Sequence, residues 1–395
     1  MEWKQNTFTY INTKAARYSY ICKRKIIYIC NMKKIPLSLI ENWYANHSEK
    51  ALSGRRIPYD TIAPLLNAMD NTLFSIKQAG SSEKNTPIYS VQIGNGPRKI
   101  LLWSQMHGNE STGTKAMFDL FKFLDHPENL VHIKAAVLNK CSLVFVPILN
   151  PDGADAFTRV NANGIDLNRD AVALVAKESK LLRNLLDTFN PEFCFNLHDQ
   201  RTIFNVEGTK NPAAVSFLAP SEDSNRTLTK GRTETMSVIS SMNAFLSELI
   251  PNHIGRYTDE FYPTATGDNF QKMGHNTILI EAGHYYDDYD RELVRKFNFY
   301  AILQGLYFLS ETNNFSNYAP YFGIPNNASD CFDIICRNVL TEEGAVLDIA
   351  FQYDYIVKNK QVHLEKKEAA RGDLSANIGH KELDLKKQPL KNTLF

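Results

Sequence analysis

No stretch of this 395-residue sequence approaches the roughly 18–20 uncharged apolar residues of a membrane-spanning helix, so none is expected. Net charge is nearly absent. The 44 basic and 43 acidic residues give a formal +1, which supplies no electrostatic footprint for a nucleic-acid partner. Cysteine is sparse, and none of Cys22, Cys30, Cys141, Cys194, Cys331 and Cys336 forms a Cys-x-x-Cys pair, which argues against a thiolate zinc site. There is no internal repeat, no phosphate-cradling glycine loop, and no serine or cysteine in a nucleophile motif. With 43% hydrophobic and 22% charged residues, the composition excludes a largely disordered chain, a collagen-like repeat and a coiled-coil rod.

Charge is nevertheless uneven along the chain. Residues 1–34 hold eight Lys/Arg against Glu2, a formal +7 that leaves −6 for the remainder. The apolar stretch Ile26–Cys30 is too short for a secretory core and no small-residue cleavage site follows it. Residues 1–35 are therefore read as a basic leader, either disordered or an over-extended start before Met32, and the chain as reduced and cytoplasmic.

Helical periodicity marks residues 36–46, 57–71, 112–124, 171–189 and 233–249. Strand-like runs occupy residues 72–78, 87–93, 99–105, 142–149, 192–197 and 276–280. Strands alternating with helices predict an α/β fold with a mixed, largely parallel central sheet flanked by helices. Beyond Asn313 the runs 333–339, 346–357 and 361–364 predict a small β-rich extension with a polar tail, giving a main domain over 36–313 and an extension over 314–395.

In parallel sheets ligands bind beyond the carboxyl ends of the strands, so the residues after each strand carry the argument. The first such end reads Met106-His107-Gly108-Asn109-Glu110. Imidazole and carboxylate at that spacing suit Zn²⁺, although His-x-x-Glu alone is common by chance. The third ends in Leu197-His198-Asp199, and two histidines with one glutamate complete a catalytic zinc set that leaves a position for water. The second runs into Asn150-Pro151-Asp152-Gly153, then Arg159 and Gly164-Ile165-Asp166-Leu167-Asn168-Arg169. Arginine can fork onto a carboxylate or stabilise an oxyanion, and Asp166 is placed to receive the second ring N–H of a metal-bound histidine. The fourth ends Ile278-Leu279-Ile280-Glu281, a carboxylate after three aliphatic residues, as expected of a general base.

Taken in this order, the four strand ends resemble the zinc metallocarboxypeptidase family of the carboxypeptidase A-like fold, over roughly Ile57–Leu309. The resemblance implies one zinc per chain held by His107, Glu110 and His198, with Glu281 as base. It also implies Arg159 at the oxyanion, Asn168 and Arg169 on the substrate's terminal carboxylate, and Asp166 orienting the first zinc histidine. The family's mobile tyrosine maps onto Tyr262, with Tyr257 as competitor. The expected activity is removal of C-terminal residues from peptides. His107-Gly108-Asn109-Glu110 also looks like the zinc motif of the succinylglutamate desuccinylase and aspartoacylase branch, which makes a small N-acyl amino acid the alternative substrate. His380 is expected on the surface, and Tyr285–Asp290 as a solvated loop.

Overall fold

The computed structural model describes residues 34–125 and 130–390. The basic leader lies outside the described residues except at its last two positions. From Ile35 onward the described chain forms one compact unit.

Its centre is an eight-stranded sheet. In chain order the strands of the main domain are β1 (Ser75–Ser81), β2 (Pro87–Ile93), β3 (Arg98–Trp103), β4 (Cys141–Val146), β5 (Phe193–Asp199), β6 (Asn205–Val206), β7 (Val215–Leu218), β8 (Ile254–Arg256) and β9 (Asn276–Ala282). The spatial order is β1-β2-β4-β3-β5-β9-β7-β8. The central strands β4, β3, β5 and β9 are mutually parallel, while β1–β2, β2–β4 and β7–β9 pair antiparallel. Strands β3, β5 and β9 read as nearly continuous apolar runs because both faces of this part of the sheet are covered.

The helices are α1 (Leu37–His47), α2 (Tyr59–Asn67), α3 (Thr112–Asp125), α4 (Val131–Lys140), α5 (Pro151–Ala156), α6 (Lys177–Phe189), α7 (Lys230–Leu246), α8 (Thr266–Lys272) and α9 (Glu292–Glu311). Caps move two of them from their sequence-predicted starts. Helix α6 begins later because the Asp170 carboxylate accepts the N–H groups of Val175 and Ala176, both at 2.9 Å, and holds residues 171–176 out of the helix. Helix α7 begins earlier because the Thr229 hydroxyl accepts the N–H of Arg232 at 3.1 Å. Helix α9 has no counterpart in the sequence reading. Nearly every residue from Val294 to Ser310 is buried, so no polar stripe marks its period.

The C-terminal region forms a separate four-stranded sheet. β10 (Asn327–Ala328) pairs with β6, and then come β11 (Cys331–Leu340), β12 (Val346–Lys358), β13 (Gln361–Gly372) and β14 (Ile378–Asp384), in the spatial order β13-β12-β11-β14. Strand β13 runs past the predicted end at Leu364 to Gly372. This sheet carries small apolar clusters on both faces, Ile334, Cys336, Ile349 and Phe351 on one and Ile335, Ala350 and Leu374 on the other. It is stitched to the loop after β5: the Cys331 N–H donates to the Ile203 carbonyl at 3.1 Å, and His380 Nε2 donates to the Thr202 carbonyl at 2.7 Å. His380 is thus a junction residue rather than a surface one. Tyr285–Asp290 is not simply solvated either, because Asp288 is buried and caps α9 through the N–H groups of Glu292 and Val294.

Candidate active site

The carboxyl ends of β3, β5 and β9 and the loop after β4 open into one cleft of about 570 Å³. All of the sequence-predicted site residues except Asp166 line it, and Asp166 stands immediately behind His107.

Two local devices place the first pair. Gly108 packs so closely on the start of α5 that a Cβ there would lie 2.0 Å from the Gly153 carbonyl carbon, so a side chain at this position would push the His107 loop away. Asn150 caps α5 by accepting the Gly153 N–H at 2.9 Å, and its amide donates to the Met106 carbonyl at 3.2 Å. Asn150–Gly153 thus opens a short helix that braces the ligand loop.

His107, Glu110 and His198 are buried, and their donor atoms all lie within 4.8 Å of one another. His107 Nδ1 is 2.8 Å from Glu110 Oε1, His198 Nδ1 is 2.9 Å from Glu110 Oε2, and the two Nδ1 atoms are 3.2 Å apart. Two imidazole nitrogens facing each other across a carboxylate are a donor set for a tetrahedral metal rather than a self-sufficient hydrogen-bond network. His107 Nε2 lies 3.1 Å from Asp166 Oδ1, the outward contact that fixes a metal-bound histidine through its other nitrogen. Zn²⁺ fits these residues.

The electrostatics point the same way. Burial opposes charge on His107, but the Glu110 and Asp166 carboxylates outweigh it and raise its pKa to about 9. Burial also opposes charge on Glu110, yet the two imidazoles hold it well below the usual carboxylate range. A site that draws a proton onto His107 in this way favours positive charge at its centre. Glu281 shows the reverse. Burial, then the Glu110 carboxylate, pushes it well above the usual range. It lies beside His198 in the parallel register of β5 and β9.

The two cations and one amide of the β4 loop occupy distinct places. Arg159 Nε donates to Asp166 Oδ2 at 3.0 Å, which leaves Nη1 3.3 Å from His107 Nδ1 and 3.4 Å from Glu110 Oε1. Asn168 Oδ1 accepts the Thr266 N–H at 3.1 Å, so its amide N–H₂ remains for another partner. Arg169 is exposed; one N–H donates to the Asn168 carbonyl and the guanidinium lies 5.4 Å from the Tyr262 ring centroid. Tyr262, 41% exposed, sits with this group, its hydroxyl 3.2 Å from Glu260 Oε2. Tyr257 also lines the cleft, and its pKa is pushed up to about 12 by burial and then by Glu281.

Several cleft residues were not anticipated. Arg55 Nη1 pairs with Asp199 Oδ2 at 2.8 Å, and both are buried. Arg291 donates to the carbonyls of Ala282 and Gln200 and lies 3.8 Å from Asp199. The extension contributes Gln352, Tyr353, Asp354 and Tyr355. Only Asp199 carried a signal in the sequence, as a second polar residue at the end of an apolar strand.

Residues 61–244 match the family model for zinc carboxypeptidases. That segment resembles the zinc carboxypeptidase family. Carboxypeptidase 2 of Trichophyton rubrum is 27% identical over 167 residues, which are 41% of this chain and 26% of that protein. Carboxypeptidase SOL1 of Arabidopsis thaliana is 24% identical over 176 residues, 40% of this chain and 35% of that one. The match thus spans about a quarter to a third of the length of these curated relatives. Among solved structures, a metallo-carboxypeptidase from Burkholderia cenocepacia shares the fold with a TM-score of 0.51 at 17% identity, over 64% of this chain and 69% of that one. Carboxypeptidase A from Helicoverpa armigera does so at 0.51 and 14%, over 70% and 81%. The segment matched to the zinc carboxypeptidase family contains His107, Glu110, Arg159, Asn168, Arg169 and His198, whereas Tyr262 and Glu281 lie beyond it.

Proposed function

We propose that the protein is a zinc-dependent carboxypeptidase that removes the C-terminal residue of a peptide, with one zinc per chain. The observation that carries this reading is the convergence of His107, Glu110 and His198 in a cleft that also presents Arg169 and the unpaired side of the Asn168 amide. Zinc bound by His107, Glu110 and His198 would supply a Lewis acid for the scissile carbonyl and would lower the pKa of the attacking water.

The chain's own groups do the rest. The Glu281 carboxylate takes the water's proton and returns it to the leaving amine. Burial and then the Glu110 carboxylate raise its pKa, which favours its holding the proton between the two transfers. Arg159, whose Nη1 already reaches the ligand atoms, donates to the developing oxyanion. Arg169 and Asn168 grip the terminal carboxylate, the guanidinium fork matching its two oxygens. Tyr262 closes over the clamp, and Asp166 keeps the His107 ring in place.

A cleft of about 570 Å³ is more than a small N-acyl amino acid needs, which favours a peptide over the deacylase alternative. Four buried free thiols, Cys141, Cys194, Cys331 and Cys336, support placing the protein in the reducing cytoplasm. The test is Glu281→Gln, assayed with zinc bound. It keeps shape and removes the proton acceptor, so zinc and peptide binding should persist while kcat falls by about 10²-fold or more. A near-native kcat would remove Glu281 from the mechanism.

A further inference from the structure

Two contact networks leave the candidate metal ligands in different directions. One runs from His107 through Asp166 Oδ1 (3.1 Å) to the Asn168 N–H (2.9 Å) and on to the clamp, where Arg169 meets Tyr262. The other runs from Glu110 Oε2 to the Asp199 N–H (3.0 Å), then from Asp199 to Arg55 (2.8 Å) and the Tyr355 ring, whose centroid is 5.2 Å from the Arg55 guanidinium. The ligands are thus linked to the clamp through one network and to a wall supplied by β12 through the other. Anchors hold that wall: the Tyr355 hydroxyl donates to the Tyr289 carbonyl at 3.2 Å, and Gln352 Nε2 donates to Thr202 Oγ1 at 2.6 Å.

A peptide whose carboxylate is at Arg169 and whose scissile carbonyl is at the metal must send its remaining residues away from the clamp. An extended chain advances about 3.3 Å per residue, so the next residues upstream meet the β12 wall. The charge of that wall is unbalanced. Asp354 is already paired with Lys367 at 2.7 Å. Buried Arg55 and Arg291 share Asp199, at 2.8 and 3.8 Å, and the Nε of each has no hydrogen-bond partner among the described residues. Arg201, exposed on the same side, has no side-chain partner among the described residues. Arg55 and Arg291 thus share one carboxylate, and Arg201 lines the same cleft with none of its own.

We propose that β12 and Arg201 form the subsite for the substrate residues upstream of the scissile bond, Tyr355 presenting an aromatic surface to the peptide and Arg201 binding an acidic side chain. The proposal rests on the peptidase reading and names its substrate class: a peptide of three or more residues with a carboxylate upstream of the cleaved bond.

The test is calorimetric binding to zinc-loaded Glu281→Gln protein. The ligands are a dipeptide, the same dipeptide extended upstream by Glu, and its Gln counterpart. The Glu extension should tighten binding about tenfold. Arg201→Gln should abolish most of that gain and leave the dipeptide Kd within about twofold. Tyr355→Ala should abolish the gain of both extensions, while Tyr355→Phe, which keeps the ring, should retain it. If the dipeptide binds but extension gains nothing, or if the gain survives in Arg201→Gln and Tyr355→Ala, this inference falls and the peptidase reading stands. If no ligand with a free carboxylate binds, the peptidase reading falls and this inference with it.

Discussion

Arg159 and Arg169 belong to one loop and carry the same charge, yet their neighbours give them different work. Arg159 is held against Asp166 and reaches the metal ligands, whereas Arg169 is exposed beside Tyr262 and Asn168. Arg159→Ala should therefore lower kcat by about 10²–10³-fold, because the oxyanion forms only in the transition state. Arg169→Ala should mainly raise KM, because the terminal carboxylate is present from the start. Steady-state kinetics on one peptide separate them, and the same pattern in both variants would contradict the division. A second residue, Asp268, offers a pH test. Burial raises its pKa from 3.8 to about 6, against the hydrogen bond it accepts from the Tyr262 N–H. Between these values the native state binds more protons than the unfolded state, so stability falls as pH rises through this window and levels off above it. Asp268→Asn should remove that slope, making denaturant unfolding less pH-dependent between pH 4 and 7.5 by up to about 3 kcal/mol. Superimposable pH profiles for the two proteins would show that Asp268 carries no such penalty.

At the scale of elements, four strand ends were legible because an apolar run that stops at His, Glu or an Asn-Pro-Asp-Gly turn marks both a strand and its carboxyl edge. Met106–Glu110, Asn150–Gly153, Leu197–Asp199 and Ile280–Glu281 all lie where that reasoning places them. Helix α9 was not legible, since burial on all sides erases the periodicity that identifies a helix. Its role is packing, and it is locked by charge. Arg295 on α9 donates to both oxygens of Asp119 on α3, each at 2.7 Å, while Asp119 Oδ1 also accepts the Glu49 N–H at 2.8 Å. Asp119 is fully buried and Arg295 nearly so. Asp119→Ala leaves buried Arg295 with the half-exposed Glu292 as its remaining ionic partner, at 3.2 Å, and should cost about 3 kcal/mol in denaturant unfolding. A loss below about 1 kcal/mol would mean that water or another acceptor rescues Arg295.

For the molecule as a whole, the sequence separated a main α/β region from a β-rich end but did not show that they meet at the cleft. That meeting depends on contacts between residues far apart in the chain, such as Arg55 with Tyr355 and Thr202 with Gln352 and His380, for which no local pattern exists. The metal trio, by contrast, could be read locally because two strand ends supply it, His107 and Glu110 after β3 and His198 at the end of β5. The whole account turns on a cleft that holds zinc at one point and a terminal carboxylate at another, so the decisive measurement uses both. Zinc-loaded protein is incubated with a tetrapeptide and with its C-terminal amide, and the products are identified by mass. The account predicts that the free acid is shortened one residue at a time from its C-terminus. The amide should be cleaved more slowly, since it leaves the Arg169 guanidinium without the anion its fork matches. Equal cleavage of acid and amide, or an intact free acid, would contradict it.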